Sequence, residues 1–164
     1  MTYLSKAIIL VAALGLSACG GVNQFGNEGT GTTPLAGSAS DPTSPAYFQQ
    51  AIGDRVLFEV DQSTLTAIAT SILDGQAQWL MRNTDYSAVI EGHADEQGTR
   101  EYNLALGARR ANTVQEYLVA QGVAPSRLRV VSYGKERPIE ICSEESCYAK
   151  NRRAVTVVSV APMS

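Results

Sequence analysis

The chain predicts an α/β (α+β) two-layer sandwich, and three observations carry that prediction. Two long stretches with helical apolar spacing lie between short alternating apolar runs. Turn residues bound each run. No internal repeat interrupts the order strand, helix, strand, helix, strand, loop, strand. Long helices between strands favour crossovers packed on one sheet.

Each element has a local reason. Residues 55–60 read as the first strand, with Val56, Phe58 and Val60 alternating. Asp61-Gln62-Ser63-Thr64 is a turn that caps a helix running to about Arg82. Leu65, Ile68, Ile72, Trp79 and Leu80 fall near one face of that helix, so Trp79 belongs to the core. Gly75 inside it costs about 1 kcal/mol relative to alanine. Asn83-Thr84-Asp85 turns the chain into a second strand over residues 86–91. Gly98-Thr99 precedes a helix from about Arg100 to Gln121, closed by Gly122. Its expected buried stripe is Leu104, Ala108, Ala111, Val114 and Leu118. Pro125-Ser126 turns into a third strand, residues 127–133. A loop with one short helix follows, and residues 153–160 form the last strand.

Composition limits the function. The 164 residues are 45% hydrophobic and carry 13 Lys+Arg against 16 Asp+Glu. From residue 47 onward the counts are 12 and 14, because Lys6, Glu28 and Asp41 come earlier. A nearly neutral domain lacks the basic face that nucleic acid requires. An anionic polymer recognised here must be read by a specific pocket, not by bulk charge. His93 is the single histidine, so a metal site is a weak reading, as is His93 acting as a ligand or a base, and no cofactor is expected.

The N-terminus reads as an address. Lys6 supplies one positive charge, residues 7–16 are apolar, and Leu16-Ser17-Ala18-Cys19 follows. Ten apolar residues are too few to span a bilayer, which takes about 20. The tetrapeptide resembles a bacterial lipobox. The resemblance implies removal of residues 1–18 and acylation of Cys19, palmitate included, and several chains on one residue give a firm anchor. Gly20, where an aspartate would retain the protein in the inner membrane, favours the outer membrane with the domain facing the periplasm. Residues 20–46 hold six glycines and three prolines with few charges, so they bury too little surface to fold alone. The expected divisions are a leader at 1–18, a lipidated tether at 19–46 and a domain at 47–164. The tether's root-mean-square span is roughly 30 Å. In an exported chain the remaining cysteines, Cys142 and Cys147, are expected to pair as a disulfide that pins a turn. Their spacing is not the Cys-x-x-Cys of a redox site.

The residues that carry chemistry gather around the second strand and the helix after it. Glu91-Gly92-His93-Ala94-Asp95 ends the strand, and Asn103, Leu106 and Arg110 lie on the helix. Positions seven apart fall within about 20° around a helix axis, so Asn103 and Arg110 share a face with Leu106 beside them. A strand-end carboxylate and a helical guanidinium can then face one cleft. That pair suits a zwitterion, with Asp95 taking an ammonium and Arg110 forking onto a carboxylate. An ordinary salt bridge between them is the plain alternative. Asp61 with Asp95 as an acid/base pair, and Arg152-Arg153 as a phosphate patch, are weaker readings; in the latter, one arginine is expected to pack and the other to be solvated. A strand-end histidine is expected to orient a loop through its hydrogen bonds.

Residues 91–114 resemble the OmpA-like peptidoglycan-binding motif. Ser132-Tyr133-Gly134-Lys135-Glu136 and Lys150-Asn151-Arg152-Arg153-Ala154 resemble the peptidoglycan-associated lipoprotein branch of that family. The resemblance implies a mixed four-stranded sheet and no catalysis. It implies that Asp95 and Arg110 hold the free amino-acid end of diaminopimelate in the peptidoglycan stem peptide. Asn103 and Leu106 match the motif, Asp61 borders the pocket, and Arg153 approaches it from the last strand. It further implies partnership with TolB and the Tol complex in envelope integrity and cell division. Gly107 departs from the serine common in the family, and Gln62-Ser63 replaces a charged-aromatic pair. A cell-wall hydrolase and a protein-interaction hub are the competing functions.

Overall fold

The computed structural model describes residues 37–141 and 143–160. The leader, Cys19, the first part of the tether and Cys142 lie outside the described residues.

Ahead of the sheet, helix α1 (Pro45–Tyr47) continues into a π-helical turn, Phe48–Gly53. Ser44 caps α1, its Oγ accepting the Tyr47 N–H at 3.0 Å. Residues just before it, assigned to the tether from composition, lie against the folded part. Trp79 donates its indole N–H to the Pro42 carbonyl at 2.7 Å, and Ser44 is buried. Phe48 and Tyr86 flank the Trp79 ring at 4.9 and 5.0 Å.

Strand β1 (Arg55–Leu57) is shorter than its alternating pattern. It ends at the Leu57–Arg153 pair, where its partner strand begins, and the chain then turns at Asp61, which is left-handed at φ 57°. Helix α2 (Ala67–Arg82) starts from Thr66, whose hydroxyl accepts the Ala69 N–H at 3.1 Å. That start centres the buried stripe on Ala69, Leu73, Gln76, Ala77 and Leu80. Ile68, expected inward, is 75% exposed. Gln76 is fully buried yet satisfied, donating to the Gly53 carbonyl and accepting from Thr156 Oγ1, both at 2.7 Å.

Strand β2 (Tyr86–His93) leads to helix α3 (Arg100–Ala120), capped by Thr99. A 3-10 turn, Pro125–Arg127, enters β3 (Leu128–Gly134). Helix α4 (Glu145–Asn151) and strand β4 (Arg153–Val160) complete the described elements. Cys147 is buried on α4 and disulfide-bonded.

The sheet order is β1-β4-β2-β3, with β2 and β3 parallel and the other pairs antiparallel. This is the expected mixed four-stranded α+β sandwich. Val56, Ala88, Ile90, Leu128 and Ala154 join Leu73, Leu80, Val114 and Leu118 in one core. Where α3 crosses β2, two glycines meet. A Cβ on Gly92 would overlap the Gly107 carbonyl, and one on Gly107 would come within 2.5 Å of Ser132 Oγ. This close approach turns α3 so that Asn103, Leu106, Gly107, Arg110 and Ala111 face inward. Leu104, expected in the stripe, is 49% exposed.

Candidate functional site

Arg110 is the centre of the site. It projects from the inner face of α3 and is fully buried. Its Nε donates to the Gln62 carbonyl at 2.8 Å, Nη1 to the His93 carbonyl at 2.8 Å and Nη2 to the Glu59 carbonyl at 3.1 Å. The guanidinium therefore ties the β1–α2 loop to the end of β2. Its carbon also lies 5.3 Å from the Phe58 ring centroid. A guanidinium has five N–H donors. These bonds use three of the five, leaving one N–H on each terminal nitrogen without an acceptor among the described residues. Burial pushes the Arg110 pKa down to about 10, while Asp95 and Asp61 pull it up and Arg152 and Arg109 push it down. It stays charged at neutral pH.

Asp95 lies just past β2 and is 8% exposed. Its Oδ1 accepts the Gln97 N–H at 3.2 Å. Its Oδ2 accepts from Arg152 Nη1, also at 3.2 Å. Its direct ionic partner is thus Arg152, and Arg110 acts on it through space. The loop that carries Asp95 is held from two sides. Asn103 Nδ2 donates to the Gln97 carbonyl at 2.7 Å. Lys135, from the Ser132–Glu136 motif, donates Nζ to the Gly98 and Glu96 carbonyls at 2.7 and 3.3 Å. Gly98, at φ +88°, makes the bend that other residues resist.

Arg152 and Arg153 are both buried, so the expectation of one solvated arginine is corrected. Arg152 joins three segments, donating to the Phe58 carbonyl at 3.2 Å, to Asp95 and to Glu145. Burial opposes its charge, but the bonds to Glu145 and Asp95 outweigh this and hold its pKa above the ordinary value. The signal for this role, an arginine directly before the last strand, is visible in the sequence; its partners are not. Glu145, on α4, is an acidic partner of Arg152 that sequence reasoning missed.

The structure thus brings Asp95, Arg110, Asn103 and Leu106 together, with Asp61 on the loop above. Leu106 is buried on the same inward face of α3 as Asn103 and Arg110 and lies outside the main apolar cluster. Asp61 is exposed and accepts the Tyr102 hydroxyl. Arg153 stands apart. It points away from Ala154, which opposes Gly92 in the sheet, and shares the outer face with His93. Its Nη atoms reach the Asn151 and Arg137 carbonyls at 3.3 and 3.0 Å, and burial lowers its pKa to about 10.

His93 does not orient a loop through its ring. It is 2% exposed, and neither ring nitrogen has a hydrogen-bond partner among the described residues. Glu91 is 3.8 Å away and the Tyr133 ring centroid 5.5 Å away. Burial first, then Arg153 and Arg137, push its pKa down to about 4. Its contribution to the site is its backbone carbonyl, which receives Arg110.

The molecule is an α+β two-layer sandwich with a buried charge cluster at one strand end. The family model for the OmpA family matches residues 57–152. The chain belongs to the OmpA family, a non-enzymatic binding family. It is 48% identical over 151 residues to a protein of Rhizobium meliloti named peptidoglycan-associated lipoprotein, covering 92% of this chain and 85% of that one. A protein of the same name in Pseudomonas aeruginosa is 45% identical over 141 residues, covering 86% of this chain and 80% of that one. The crystal structure of the peptidoglycan-associated lipoprotein from Burkholderia pseudomallei matches with a TM-score of 0.66 at 36% identity, covering 74% of this chain and 98% of that one. The C-terminal domain of Helicobacter pylori MotB shares the fold, with a TM-score of 0.61 at 23% identity over 66% of this chain and 85% of that one.

Proposed function

We propose that this chain is an outer-membrane lipoprotein whose domain binds peptidoglycan by the zwitterionic end of diaminopimelate. The ligand's ammonium meets Asp95, and its carboxylate meets the unspent edge of Arg110. The carboxylate reaches Arg110 when the Glu59–Gln62 part of the β1–α2 loop shifts. Leu106 supplies an apolar wall, and Asn103 and Lys135 hold the Asp95 loop in place. The observation that carries this reading is one buried guanidinium with donors to spare beside a carboxylate fixed at a strand end. The names of the relatives across most of the chain support it.

In this reading Cys19 carries the lipid anchor, residues 19–46 are the tether and residues 47–164 the wall-binding domain. Each contact is reversible, and many anchored copies hold the wall by avidity. TolB and, through it, the Tol complex are the partners, linking the wall tether to envelope integrity and cell division. The test is co-sedimentation of the protein with purified peptidoglycan. Asp95→Asn and Arg110→Lys are expected to abolish sedimentation while keeping a cooperative unfolding transition. Parent-like sedimentation of both variants would refute the site. Zymography separates this reading from a hydrolase, since a binder clears no peptidoglycan.

A further inference from the structure

We propose that Arg152 is a specificity-determining residue of this site, making Asp95 accept the ammonium of a zwitterion and reject a bare amine. This rests on the reading of the Asp95–Arg110 site given above. Asp95 is not an empty receptor. One of its oxygens holds the Gln97 amide and the other holds Arg152, both at 3.2 Å. Arg152 is 4% exposed, and the Phe58 carbonyl and Glu145 hold it in place beside Asp95. An incoming ammonium must share the carboxylate with this guanidinium.

Two cations on one carboxylate repel each other. At a separation of about 6 Å and an effective dielectric of about 20, that repulsion is worth on the order of a hundredfold in affinity. Arg110, which feels Arg152 as a like charge, adds to it. A bare amine bears this penalty in full. A zwitterion carries its own carboxylate, whose attraction to Arg110 and Arg152 cancels most of it. The discrimination therefore comes from a buried positive charge that the ligand never has to touch. Glu145 moderates it, because its carboxylate neutralises Arg152 from the solvent side, with the side chain 66% exposed.

Two probes test this: a stem tripeptide ending in meso-diaminopimelate, and the same tripeptide ending in L-lysine, which keeps the amine and lacks the second carboxylate. Calorimetric titration of the solubilised full chain gives the affinity ratio. The parent is expected to prefer the diaminopimelate peptide, and Arg152→Gln to narrow that preference at least about tenfold. Glu145→Gln, an exposed change that spares the fold, is expected to widen it about two- to threefold. If Arg152→Gln weakens both peptides in the same proportion, its role is structural only and the inference fails. Should Arg152→Gln not fold, Glu145→Gln decides: a wider ratio supports the inference, and an unchanged or narrower ratio overturns it. A parent that binds both peptides equally overturns this inference alone. A parent that binds neither overturns the reading of the site as well.

Discussion

Acid should destabilise this domain through one residue. His93 sits on the outer face of the sheet, 2% exposed, with no hydrogen bond to either ring nitrogen among the described residues. Arg153 and Arg137 lie within electrostatic range, Tyr133 packs on the ring, and Glu91, at 3.8 Å, is the nearest carboxylate. Burial and the two arginines depress the pKa from 6.5 to about 4. The unfolded chain therefore binds more protons than the folded one between those values. Stability rises with pH across that window and is lost as pH falls from 6.5 toward 4. The difference in pKa is worth about 3 kcal/mol, a large fraction of a domain's typical 5–15 kcal/mol. Urea unfolding of the parent and of His93→Gln, at pH values from 7 to 4, isolates the effect from carboxylates that titrate in both. The parent should lose about 3 kcal/mol more than the variant over that span. Equal losses, or a His93 proton resonance titrating near 6.5, would refute the reasoning.

Other perturbations have defined outcomes. Arg110→Met removes three hydrogen bonds to backbone carbonyls, of which the His93 carbonyl is left buried without its donor; a loss of about 2–4 kcal/mol is expected in chemical denaturation, and less than about 1 kcal/mol would contradict the network. Gly92→Ala forces a methyl into the Gly107 carbonyl, so the thermal midpoint should fall markedly, whereas Gly37→Ala, with open space around it, should change it little apart from the strain of its positive φ. Trp79→Phe keeps the ring stacking but loses the bond to the Pro42 carbonyl, with an expected cost of about 1–3 kcal/mol by urea denaturation. Thiol titration of the unreduced, denatured protein should find Cys147 unreactive.

The sheet and its helices were legible because their periods are strong. Residues 153–160 are rich in valine, which favours extended backbone, and form β4 over that span. Element edges were set by features that period alone does not encode. β1 stops where its partner β4 begins, at the Leu57–Arg153 pair, and α2 is capped by Thr66, not by Ser63-Thr64, with Ile68 exposed in its first turn. The rotation of α3 depends on the contact between Gly92 and Gly107, distant in sequence. The π-helical turn at Phe48–Gly53 has no apolar rhythm of its own. At the site, seven-residue spacing put Asn103 and Arg110 on one face, and the fold keeps them there. Arg152 escaped because its partners come from three separate segments: Phe58, Asp95 and Glu145. His93 was misjudged because a histidine without ring hydrogen bonds looks the same in sequence as one that has them.

The most direct test of the central claim is a crystal structure of the domain with a diaminopimelate-containing stem peptide. The expected result places the ligand's ammonium within hydrogen-bond distance of Asp95, its carboxylate on both terminal nitrogens of Arg110, and Arg152 still bonded to Asp95. A groove of about 990 Å³ is lined by Arg152 together with Leu57, Ile68, Ile72 and Ile139. A peptide seated there, with Arg110 still holding the Glu59, Gln62 and His93 carbonyls and Asp95 untouched, would contradict the claim.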